Sequence, residues 1–148
     1  MSNLVIEPKK GFGEIKFGTE IEKIIENLGE PEEIDNFEND ADINAVLLHY
    51  WQKGYSLFFQ GDTKQVLAGI ETDHPDALLY GKKVIGVSEN DVVELMKANG
   101  HQEYDRETDE DEVRLSYEEE MVDFYIKDNK VVFVNWDILV DEEGNIME

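Results

Sequence analysis

The 148-residue chain is 41% hydrophobic, enough to bury a core as one compact domain or two small halves. Its 36 acidic residues against 13 basic ones, a net charge of −23, repel phosphate backbones; they argue against a nucleic-acid partner and favour encounter with a basic protein. The absence of cysteine excludes disulfides, thiolate chemistry, Cys-based zinc sites and lipid-anchor cysteines, and no segment nears the roughly 18 consecutive apolar residues of a membrane span.

In chain order, the opening stretch MSNLVIEPKKGFGEI carries no apolar run of signal-peptide length, so a cytoplasmic protein is expected. A first helix is predicted from Thr19, a good N-cap with Glu22 three residues on. Ile21, Ile24, Ile25 and Leu28 form one helical stripe, Gly29 stops the helix and Pro31 prevents its resumption. An acidic, poorly patterned link follows, EEIDNFENDADIN. Three strands are then predicted, with turn chemistry at Lys53-Gly54 and Gly61-Asp62. A short join over 73–83, DHPDALLYGKK, leads to a second helix capped by Ser88, with Asp91 in the related place, Val92, Val93 and Met96 as its stripe and Gly100 as its stop. A second acidic link, HQEYDRETDEDE, precedes three more strands, with a turn at Asp128-Asn129.

The order repeats. LHYWQKGYSLFFQGDTKQVLAGI from Leu48 aligns with LSYEEEMVDFYIKDNKVVFVNW from Leu115, an offset of 115 − 48 = 67. The helices correspond from Gly18 and Gly86. The expected fold is therefore α+β: two tandem helix-plus-antiparallel-sheet repeats, 1–75 and 76–148, each a two-layer α/β sandwich, closely packed as one compact unit.

The alignment sorts the strand faces. Leu48, Tyr50, Tyr55, Leu57 and Phe59 share a phase with Leu115, Tyr117, Val122, Phe124 and Ile126, apolar in both copies and hence core. Val66, Ala68 and Ile70, set over Val132, Val134 and Trp136, are also expected inward. The opposite phase holds His49, Trp51, Phe58 and Leu67 in the first copy. In the second it holds Tyr125 and Phe133 among Glu118, Asp123, Lys127 and Asn135. Clustered aromatics with an acidic rim suit an interface anchored by Trp and Tyr. His49, Trp51, Phe58, Leu67, Glu118, Asp123, Tyr125 and Phe133 are thus the candidate partner-binding residues. A seam between the halves, or a homodimer, is the alternative use of that face.

Catalytic signatures are lacking. His49, His74 and His101 have no close metal-ligand spacing, and neither acidic link has the glycine and twelve-residue spacing of an EF-hand loop. There is no GxSxG, P-loop or GxGxxG motif, and Ser56, Ser88 and Ser116 lack an identifiable base. No catalytic residue, metal or cofactor is expected.

The segment GEIKFGTEIEKIIENLGEPEE followed by strands, with the second GVSENDVVELMKANG and its strands, resembles the tandem repeats of the β-lactamase inhibitor protein fold. It is also similar to the single unit of the SmpA/OmlA outer-membrane assembly lipoproteins. The inhibitor resemblance implies a concave sheet surface that grips a target protein, here the face bearing Trp51, Phe58, Tyr125 and Phe133. Both families carry cysteines that this chain lacks, so the resemblance bears on fold. The expected function is a noncatalytic protein-binding module, an immunity or inhibitor protein with a basic partner. The alternative is a structural or assembly protein that self-associates through the same face.

Overall fold

The computed structural model describes residues 4–38, 44–61, 64–141 and 143–147. Part of the first acidic link (39–43) and Asp62 of the expected Gly61-Asp62 turn lie outside the described residues. Three short strands, β1 (Ile6–Glu7), β2 (Gly11–Phe12) and β3 (Ile15–Lys16), precede helix α1 (Ile21–Leu28). Then come β4 (Glu33–Glu38), β5 (Asn44–Tyr50), a 3₁₀ turn (Trp51–Lys53), β6 (Tyr55–Gln60) and β7 (Val66–Thr72). The hairpin β8 (Leu78–Leu79) and β9 (Lys82–Lys83) leads to α2 (Glu89–Ala98). The chain then forms β10 (Asp105–Asp109), β11 (Glu112–Tyr117), β12 (Val122–Lys127) and β13 (Lys130–Asp137).

The expected α+β fold of two helix-plus-sheet repeats is overturned. The chain is mostly β, with two α-helices among the described residues. Its body is a single eight-stranded antiparallel sheet in the order β10-β11-β12-β13-β7-β6-β5-β4. The reason is a ladder between the final strands of the two meanders. Thr72, Glu71, Ile70 and Gly69 of β7 lie opposite Val134, Asn135, Trp136 and Asp137 of β13. The acidic links are also more than links. They supply β4 and β10, the two outermost strands of the sheet. All five residues of β10 are exposed, and charge along an edge strand discourages pairing with a further strand.

One face of the sheet is the core. Tyr50, Leu57, Phe59, Tyr117, Phe124 and Ile126 are buried with Ile24 of α1 and with Val92 and Met96 of α2 in one contiguous cluster. The small N-terminal sheet packs on the same face. Phe12 meets Trp136 edge-on at 5.3 Å, and Trp136 Nε1 donates to the Gly11 carbonyl at 3.0 Å. α2 begins with the expected capping box between Ser88 and Asp91. α1 does not start at Thr19. Its N-cap is Glu20, with no side-chain cap, while the Thr19 hydroxyl donates to the Lys16 carbonyl at 2.7 Å.

Two β-bulges correct the expected phase of the third strands. Phe58 pairs with Gly69, yet Phe59 pairs with Leu67, so Ala68 is the extra residue and parity reverses across it. Leu67, expected on the outer face, is fully buried in the core. In the second meander Tyr125 pairs with Phe133 and Ile126 with Val131, which makes Val132 the extra residue. Val131 is buried and Val132 only half-buried, the reverse of expectation.

The bulges also dock the helices. The Leu67 amide donates to Thr19 O, and Leu67 O accepts from the Gly18 amide, both at 2.9 Å. Val131 makes the matching pair, donating to Val87 O at 2.9 Å and accepting from the Gly86 amide at 2.8 Å. Each bulge thus turns a buried backbone unit away from the ladder and toward the segment that leads into a helix.

Leu67→Ala should cost about 3 kcal/mol in urea unfolding, the range for a fully buried leucine that leaves a cavity. Phe58→Ala, on the other face, should cost less than half as much.

Candidate functional site

The outer face is organised by the register. One residue from each strand forms a polar rank across the whole sheet: Glu33, His49, Ser56, Glu71, Asn135, Asp123, Ser116 and Asp105. Glu71 and Asn135 face each other at its centre. Neighbours along the rank interlock. His49 Nδ1 lies 2.8 Å from Ser56 Oγ, and the Ser116 hydroxyl donates to the Asp123 carboxylate. His49 Nε2 lies 2.8 Å from Asp35 Oδ2, diagonally across β4.

The aromatic residues flank this rank on opposite sides. Tyr125 and Phe133 stack at 4.2 Å on one side, beside Arg114, which lies opposite Tyr125 in the ladder and pairs with Glu107 at 2.8 Å. Phe58 lies on the other side, against Gly69 and beside Asp137. A Cβ on Gly69 would come within 3.3 Å of Phe58 Cβ and 3.5 Å of Asp137 Cβ. A side chain at this position would crowd Phe58.

Trp51 is not a sheet residue. It opens the 3₁₀ turn between β5 and β6, is 57% exposed, and stacks on the His49 ring at 4.9 Å. The turn is pinned at Gly54. Gly54 takes φ +84°, its carbonyl accepts from the buried Thr72 hydroxyl at 2.6 Å, and a Cβ there would lie 2.9 Å from the His74 ring. Trp51 is therefore held over the face from one end.

Between these groups lies a hollow of about 390 Å³. Trp51 and Ser56 line it from the first meander, Glu71 and Asp73 from β7 and its end, and Val132 and Phe133 from β13. It straddles the β7–β13 ladder. Glu71 is raised above the usual carboxylate range, first by desolvation and then by the Asp73 charge, with His49 opposing. Among the described residues, the ion pairs include neither Glu71 nor Asp73.

The eight expected site residues thus divide. His49, Trp51, Phe133 and, through its stack, Tyr125 gather around or beside the hollow. Asp123 belongs to the polar rank, and Phe58 stands across it from the hollow. Glu118 lies in the turn after β11, on the rim of a separate shallow depression of about 190 Å³ with Tyr104 and Glu119. Leu67 is core. Glu71 and Asp73 were missed. Glu71 shares the phase of Ser56, so strand parity alone would have placed it on this face.

No protein-family model matches the chain, and no curated protein does. Among solved structures, the uncharacterized protein yfeY from Escherichia coli is similar over 92% of this chain and 99% of its own, at 15% identity and a TM-score of 0.56. An extracellular protein containing an SCP domain, from Bacillus anthracis, is similar over 93% of this chain and 46% of its own, at 12% identity and a TM-score of 0.49. At such identities the likeness to yfeY is one of fold. No helix among the described residues is long and apolar enough to cross a membrane.

Asp137 provides a pH-dependent test of this face. Desolvation, then the charge of Asp123, pushes its carboxyl up to about 6. The folded state therefore holds a proton that the unfolded chain releases near its ordinary value of 3.8, and stability falls as pH rises through that interval. The side chain remains open to water on one side, so screening reduces the effect. Asp137→Asn should stabilise the protein by about 1 kcal/mol near pH 7.5 and leave it unchanged near pH 3.5, measured by urea unfolding.

Proposed function

We propose that the protein is a noncatalytic binding module that captures a basic partner protein on the outer face of its sheet, as an inhibitor or immunity protein would. The observation that carries this reading is the hollow itself. Two carboxylates, Glu71 and Asp73, lie between an exposed Trp51 and the stacked Phe133, and neither carboxylate pairs with a cation among the described residues.

An arginine or lysine head supplies what such a hollow lacks. Its charge offsets the carboxylates, and the aromatic side chains of Trp51 and Phe133 line the same hollow. The net charge of −23 steers such a partner from a distance, so association is salt-sensitive. The resemblance to the β-lactamase inhibitor protein fold belongs to this proposal, because that fold also presents a sheet face to its target. A cytoplasmic setting belongs to it as well. Self-association through this face is the second reading, but it would bring two acidic surfaces together.

The test uses a short capped peptide with one arginine among neutral residues, titrated at low salt and followed by calorimetry. A control peptide carries citrulline in place of the arginine. The arginine peptide should bind at least about tenfold more tightly than the citrulline one, and the Glu71→Gln, Asp73→Asn double variant should erase that difference. Trp51→Ala should weaken binding about fivefold with little loss of stability. Equal affinity for both peptides would contradict the proposal. A concentration-dependent dimer abolished by Trp51→Ala would favour the second reading.

A further inference from the structure

We infer that Glu33, Asp35 and His49 form a binding site for a divalent transition-metal ion at the β4–β5 edge of the sheet. The site is distinct from the hollow and does not depend on a partner protein.

The register builds it. Glu33 lies directly opposite His49, and Asp35 is two residues further along the same strand, so all three side chains leave the outer face together. One ligand atom from each lies within 4.8 Å of the other two. A tetrahedral or octahedral ion needs only a small contraction of that triangle, with Nε2 and Oδ2 parting slightly to admit it.

The histidine is oriented as a metal ligand would be. Ser56 Oγ holds Nδ1 at 2.8 Å, which leaves Nε2 as the nitrogen facing the carboxylates. A hydrogen bond on the non-ligating nitrogen is how metal-binding imidazoles are commonly fixed. Trp51 covers one face of the ring, and the His49 side chain is 13% exposed, so little ordering remains to be done on binding.

Charge and donor type select the ion. Two carboxylates and an imidazole balance a divalent cation, and among the described residues no lysine or arginine pairs with Glu33 or Asp35. One nitrogen and two oxygens suit zinc, cobalt or nickel. Calcium requires six to eight oxygen ligands, which this site does not provide. Three protein ligands leave positions for water.

The test is a zinc titration of the full chain, stripped with EDTA and followed by calorimetry at physiological salt. One ion per chain should bind with micromolar affinity, unaffected by a tenfold excess of calcium. His49→Ala should weaken this binding at least about tenfold, and Glu33→Gln with Asp35→Asn should do the same. Ser56→Ala should weaken it about threefold, as expected of a positioning residue. If His49→Ala fails to fold, His49→Gln serves in its place, with circular dichroism to confirm its structure. Nickel should quench Trp51 fluorescence at the same stoichiometry in the unmodified chain, leaving the buried Trp136 emission. Several weak ions per chain, unaffected by the His49 substitution, would overturn the inference and show general attraction to an acidic surface. Absence of binding would overturn it too and leave the His49–Asp35 contact as a hydrogen bond alone.

Discussion

The structure depends on the antiparallel ladder between β7 and β13. Four residue pairs, from Thr72–Val134 to Gly69–Asp137, join two four-stranded meanders into one sheet and remove two edges that would otherwise need cover. On the core side the ladder brings Ile70 beside Trp136, whose indole reaches the Gly11 carbonyl 125 residues away in sequence. On the outer side it sets Glu71 against Asn135 and so places a carboxylate at the middle of the sheet. The hollow straddles this ladder, because Glu71 and Phe133, which both line it, come from strands that only the ladder makes neighbours.

The bulges at Ala68 and Val132 serve the same end. Displaced by the extra residue, the backbones of Leu67 and Val131 bind the segments at Gly18–Thr19 and Gly86–Val87, and these segments bring α1 and α2 onto the core. The correspondence is not complete. The Tyr50 hydroxyl donates to the Gly29 carbonyl just past α1, whereas the buried Tyr117 hydroxyl has no partner among the described residues. The outer face carries a cost of its own, since Glu71 and Asp137 are both held above their ordinary range by desolvation and like charge. A face optimised only for stability would not cluster carboxylates there.

Much of the inward and outward sorting was legible in the sequence. Tyr55, Leu57 and Phe59 repeat the apolar phase of Val122, Phe124 and Ile126, and all six are buried. Parity failed at Leu67 because a bulge leaves no local sign in a run as apolar as Val66–Ile70. The paired strands place Ile70 opposite Leu57 and Val134 opposite Phe124, a correspondence of 134 − 70 = 64. The sequence alignment used 66 there, and a slip of two preserved the phase while misplacing the partners. β4 and β10 were illegible because edge strands rich in Glu and Asp show no apolar alternation. Trp51 read as a strand residue because Gly54, which turns the chain, lies three positions later. The β7–β13 ladder joins strands far apart in the chain, and no local pattern marks it. The triangle of Glu33, Asp35 and His49 was hidden for the same reason as β4, since Glu33 and Asp35 acquire a common face only once the link is a strand.

On the proposed reading, a cationic group is recognised at the centre of this sheet rather than over its acidic surface at large. Amide chemical-shift mapping during titration with an arginine-bearing peptide tests that most directly. The account predicts saturable shifts concentrated at Gly54, Ser56, Glu71, Asp73 and Phe133, with β10 and the exposed face of α1 unaffected. Non-saturating shifts spread over all the acidic segments, β10 included, would contradict it.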